Sequence, residues 1–168
     1  MLNWFALACL VGAVALLYAL SVCDLKTRRL PDEMVLGFAT LGFVFHLTTL
    51  AQFVSIQNIA LGGIAGFFVL YVIRFIANRF FGEDTLGLGD VKLLGAAGLW
   101  LGPDALMLAM AAGASVALVH GAVHGVWSAR QTGARVDFSR FKVPAGPGFA
   151  AGIIMAGILQ FWHFRLRY

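Results

Sequence analysis

Residues 82–104 read GEDTLGLGDVKLLGAAGLWLGPD, and how they are read decides how often the chain crosses apolar surroundings. Between Asp90 and the Gly102-Pro103-Asp104 punctuation lies a run that is apolar but for Lys92. As a helix, Val91 to Leu101 rises only about 16 Å, against about 30 Å of bilayer hydrocarbon. Such a run, entered from a membrane surface, does not reach the other side. Either the loop before it dips into the membrane, or the bilayer is thinned or wet at that point. Both place Asp90 below the surface in a protein-lined cavity, because irregular backbone is not tolerated against lipid. Gly87 and Gly89 supply the flexible, side-chain-free backbone such a dip needs.

The rest of the chain supplies the membrane. Of its 168 residues, 61% are hydrophobic and 12% charged, with a mean hydropathy of +0.88. Soluble domains average about 45–50% apolar and about 25% charged residues. Too little polar surface remains for a soluble fold, so an all-α integral membrane protein is expected. Apolar runs at 2–23, 34–53, 59–78, 91–101, 105–127 and 146–163 predict a six-helix transmembrane bundle forming one domain over 1–168. Its fourth helix is the short one, following the glycine-rich loop. The first run has no basic n-region and is too long for a cleaved signal, so it reads as a retained span. Gly62, Gly63, Gly66, Gly95 and Gly98 fall inside the runs, where small residues let helices approach closely.

The net charge of +4 raises the question of nucleic acid. The charges form short clusters between apolar runs, so no nucleic acid is expected as a partner and membrane lipid is. Six spans put loops 24–33, 79–90 and 128–145 on one side. With flanking residues that side holds Lys26, Arg28, Arg29, Arg74, Arg79, Lys92, Arg130, Arg135, Arg140 and Lys142; the other holds Arg165 and Arg167. This bias predicts that the three basic loops face the cytoplasm and both termini face outward. Joining 91–127 into one helix would instead move the C-terminus across.

Eight acids are candidates for chemistry: Asp24, Asp32, Glu33, Glu83, Asp84, Asp90, Asp104 and Asp137. Asp32 and Asp104 each follow a proline at a helix start, where an acid is favourable. Glu83, Asp84 and Asp137 lie in polar loops. Asp24 and Asp90 each abut a long apolar run at the membrane boundary, and ionisable groups there are costly enough to be functional candidates. The bland reading for both is a helix-end acid paired with Lys26, Arg28 or Lys92. Cys9 and Cys23, with no CxxC anywhere, read as buried apolar thiols. His120 and His124 are one turn apart, but the pattern lacks a glutamate and a third ligand, so no metal and no cofactor are expected.

Three stretches carry a resemblance. Asp24-Leu-Lys-Thr-Arg-Arg-Leu-Pro-Asp32 resembles the first catalytic motif of type IV prepilin peptidases. Gly82 to Lys92 is similar to their second motif, which contains the GxGD signature. Val143-Pro144-Ala145-Gly146-Pro147 is similar to the family's segment before the last span. The resemblance implies a GxGD-type membrane aspartic protease that removes the basic leader of prepilins or pilin-like proteins at the cytoplasmic face of the bacterial inner membrane. Carried over by position, Asp24 and Asp90 are the catalytic pair. Gly87, Gly89, Lys92, Pro144, Gly146 and Pro147 would support the site. Longer relatives hold a zinc-binding CxxC insert between the first two spans that serves N-methylation; here about ten residues separate those spans and no such motif occurs. Peptidase activity without methyl transfer is therefore expected, with a prepilin as partner and self-association left open.

Two carboxyls sharing one proton provide both a base for water and an acid for the scissile carbonyl. The C-terminal end of the first span is partially negative and the N-terminal end of the fourth partially positive. On those helix ends alone, Asp24 is expected to hold the proton and Asp90 to be ionised. Rival readings are a transport or proton-relay protein using intramembrane acids, and a non-catalytic membrane scaffold.

Overall fold

The computed structural model describes residues 4–81, 87–132 and 145–165. They form five α-helices, and the described residues contain no strand: α1 (Trp4–Thr27), α2 (Asp32–Thr48), α3 (Ile56–Phe81), α4 (Leu88–Thr132) and α5 (Gly146–Arg165). Three of them, α1, α3 and α4, are long and apolar enough to cross a membrane, and α5 holds a shorter apolar stretch, Gly146–Trp162. Large apolar side chains such as Trp4, Phe43, Phe75 and Leu118 point outward. Leu20, Phe38, Phe45, Leu93, Leu94 and Leu106 fill the centre.

The helix count is five rather than the expected six. The fourth and fifth apolar runs are two arms of α4, with no loop between them. Only Gly102 leaves helical geometry (φ 70°, ψ 177°), and Pro103 opens the next turn. A positive φ is open to glycine at little cost, and proline suits a first helical turn because its missing N–H would have no partner there. The contacts show that the chain nevertheless reverses at this point. Asp32 at the start of α2 meets Lys92, and His46 near its end meets Leu99, so α2 and the first arm (88–101) run parallel. Gly62 lies against Gly98, and Gly66 against Leu94, so α3 runs antiparallel to that arm. Beyond the break, Gly113 meets Gly148 and Ala109 meets Gly152. The second arm (103–132) therefore runs antiparallel to α5, whose far end meets Leu101 through Gln160. The start of α5 thus stays at the same end of the bundle as Asp24, as six apolar runs require.

A break in a helix frees carbonyls that have no water to turn to in an apolar interior. Two polar side chains from other helices satisfy them. His46 Nε2 lies 3.0 Å from the Leu99 carbonyl and 3.2 Å from that of Trp100. Gln160 Nε2 donates to the Leu101 carbonyl at 3.1 Å. Trp100 Nε1 in turn donates to the Phe38 carbonyl at 2.8 Å, with the two rings stacked. His46→Phe should therefore lower stability by about 1–2 kcal/mol, the cost of leaving buried carbonyls unpaired. Thermal unfolding in detergent measures it, and an unchanged midpoint would show that the break needs no such clamp.

Candidate active site

The α1–α2 connection sets the first half of the site. Arg28 takes a left-handed conformation (φ 53°), and its N–H closes the last turn of α1 on the Asp24 carbonyl at 2.8 Å. Pro31 then starts α2, its carbonyl receiving the Met34 and Val35 N–H groups. The chain therefore turns back within four residues, leaving Asp24 in the last turn of α1 and 7% exposed. The second half comes from the start of α4, whose first turn carries Asp90. Gly89, beside Asp90, packs on Leu30 of the α1–α2 connection, and the Asp24 charge is felt at Asp90, so two residues far apart in sequence come near one another at one end of the bundle.

The surroundings of the two carboxyls differ. Asp24 Oδ2 accepts the Gly146 N–H at 3.0 Å, at the very start of α5. The Arg28 charge also lies within its reach. Asp90 Oδ1 is buried with no hydrogen-bond partner among the described residues, and a Cβ on Gly87 would lie 3.2 Å from its Oδ2. This revises the expectation from helix ends. Besides the negative end of its own helix, Asp24 faces the positive end of α5 through the Gly146 N–H, which offsets it.

The supporting residues play different parts. Gly146 bonds Asp24 directly, and Gly87 lies close enough to Asp90 that a Cβ there would be in tight contact with its carboxyl. Gly89 packs on Leu30, where a Cβ would lie 2.8 Å from that side chain, so it fixes the α4 start against the α1–α2 turn. Pro147 follows Gly146 in the first turn of α5, where proline is favourable. Pro144 and residues 82–86, including Glu83 and Asp84, lie outside the described residues. Lys92 bonds both oxygens of Asp32, at 2.7 and 2.8 Å, and so ties α4 to α2. Its side chain is 40% exposed and that of Asp32 67%, so the pair should contribute under about 1 kcal/mol. Lys92→Met should shift the thermal midpoint by no more than a few degrees; a collapse of folding would mean that the pair holds the two helices together.

Sequence reasoning missed the two clamps of the α4 break. A signal existed: His46 and Gln160 are polar side chains within apolar runs, costly unless partnered. Nothing local announced the Asp32–Lys92 pair, whose members are 60 positions apart.

Residues 4–122 match the type IV leader peptidase family. The prepilin leader peptidase/N-methyltransferase of Pectobacterium carotovorum subsp. carotovorum is 36% identical over 166 residues, covering 95% of this chain and 55% of that protein. The protein of the same name from Burkholderia pseudomallei strain 1026b is 35% identical over 147 residues, covering 84% of this chain and 43% of its own. That of Neisseria gonorrhoeae is 34% identical over 117 residues, covering 70% and 40%. The chain belongs to the type IV leader peptidase family. It spans about half the length of these relatives. No solved structure matches it.

Proposed function

We propose that this protein is an aspartic endopeptidase that cleaves the basic leader from type IV prepilins at the cytoplasmic face of the bacterial inner membrane. Family membership supports the substrate class. The observation that carries the chemistry is the meeting of Asp24 and Asp90 at helix termini, one buried and one with a buried unpartnered oxygen. In this reading six helical segments cross the membrane, counting the arms of α4 separately. The basic loops lie inside and both termini outside.

Asp24 already receives a donor, so the shared proton is placed on Asp90, where it lets that carboxyl donate. Ionised Asp24, held by Gly146, takes a proton from the attacking water while Asp90 polarises the scissile carbonyl. Collapse of the tetrahedral intermediate then returns a proton to the leaving amine. The relatives' name also includes methyl transfer. We do not carry that half over: α1 and α2 are joined by residues 28–31 alone, and the chain has no CxxC pair.

The test is to co-express a type IV prepilin with the wild-type chain, Asp24→Ala or Asp90→Ala, and to follow leader removal by mass. Wild type should process the prepilin and neither variant should. Processing that survives either substitution sinks the aspartic reading.

A further inference from the structure

The turn that ends α1 holds a residue whose backbone and side chain answer to different requirements. Arg28 takes a left-handed conformation (φ 53°) and donates its N–H to the Asp24 carbonyl at 2.8 Å. This closes the helix as an αL cap, a position usually filled by glycine because other residues are disfavoured there. Any residue with an N–H can make that bond, so the turn itself gains nothing from arginine. Arg28 is exposed and makes no ion pair with a described residue. Neither packing nor a salt bridge therefore accounts for a long, charged side chain on a disfavoured backbone. Strain of this kind, beside a buried carboxyl, points to function.

The charge supplies the account. Lys26, Arg28 and Arg29 are all exposed beside the carboxyl pair, and it is the Arg28 charge that is felt at Asp24. Asp90, across from it on α4, feels the charge of Asp24. Of the other charges at this end, Asp32 and Lys92 neutralise one another between α2 and α4, and Glu33 stands exposed beside them. The first turn of α5 brings the Gly146 N–H and no acid. A fixed cation acting on one carboxyl of a pair favours the arrangement in which the proton sits on the other.

We propose that Arg28 is a positioning residue for the carboxyl pair, its charge holding the shared proton on Asp90 and leaving Asp24 as the base. The inference rests on the aspartic peptidase reading above and adds what selects between the two placements of one proton. Arg28 acts through Asp24 and touches no reacting atom. The same charge repels a basic leader, so it weakens binding while it speeds the bound step. Those opposite signs separate an effect on the proton from an effect on binding.

The experiment measures kcat and KM in nanodiscs for a synthetic peptide with a basic leader, a cleavage site and a 20-residue apolar segment (roughly one membrane crossing). Arg28→Gln and Arg28→Gly should each lower kcat about fivefold, the size of one screened charge acting over several ångströms. Arg28→Lys keeps the charge and should stay within about twofold of the wild type. Arg29→Gln removes a charge from the neighbouring residue and should leave kcat unchanged. KM should not rise in either glutamine variant, since both relieve repulsion of the leader. In Arg28→Gly the thermal midpoint should hold or rise, because glycine adopts the left-handed turn freely. A midpoint that falls with kcat would reduce Arg28 to a structural cap. Equal kcat in Arg28→Gln and Arg29→Gln, or a loss in Arg28→Lys as large as in Arg28→Gln, overturns the assignment and leaves the peptidase reading intact. Failure of the wild type to cleave the peptide, or cleavage by Asp24→Ala, overturns both.

Discussion

Asp24→Asn and Asp90→Asn are each expected to slow leader cleavage by about 10³-fold or more, with the double variant no slower than either single one. Asparagine keeps the volume of aspartate, and its carbonyl can still accept the Gly146 N–H that now reaches Asp24 Oδ2. The packing around α1 and α5 is therefore retained, and what is lost is the capacity to exchange a proton. Groups that share one proton act as a unit, so removing the second after the first removes nothing further. Single-turnover cleavage of a prepilin in detergent, with circular dichroism as the folding control, measures the three variants. Independent, multiplicative losses would show that the carboxyls act in separate steps and not as a pair.

The second large effect is expected at Gly146. A Cβ there would lie 2.6 Å from Asp24 Oδ2 and 2.9 Å from its Cγ, closer than real side chains approach. Asp24 is buried at the end of its helix, so its carboxyl must move, and the hydrogen bond from the Gly146 N–H is lost or bent. A displacement of about 1 Å at a reacting group lowers rate by about 10²-fold. Gly146 opens α5, so the interior helix preference for alanine over glycine has little weight there. Gly146→Ala should therefore lose kcat by about 10²-fold while its thermal midpoint shifts by no more than a few degrees. Gly152→Ala makes the contrast. Its Cβ would run into the Ala109 carbonyl and the Gly113 backbone, so midpoint and activity should fall together. Equal stability losses in both variants would reduce Gly146 to a packing residue.

The membrane character and the all-helical class are both visible in composition. The break at Gly102-Pro103 was legible from those two residues alone. Its form was not: the sequence offered either a loop between two helices or one continuous helix. The structure holds a third arrangement, a helix-to-helix reversal made by one residue in an extended, positive-φ conformation. That arrangement needs polar caps from elsewhere, and which side chains reach the freed carbonyls depends on how α2 and α5 pack.

The same division runs through the carboxyl pair. The chain by itself singled out Asp24 and Asp90, because an acid at the edge of a long apolar run is costly and two such acids stand out among eight. It also placed each at a helix end, since the apolar runs stop or start beside them. Which of the two is better provided with donors was decided by tertiary structure. A helix terminus acts on whatever lies in front of it, and α5, whose Gly146 N–H is donated to Asp24, begins 122 residues further along the chain. Local sequence reports the end on which a residue sits; only the packed bundle reports the end that points at it.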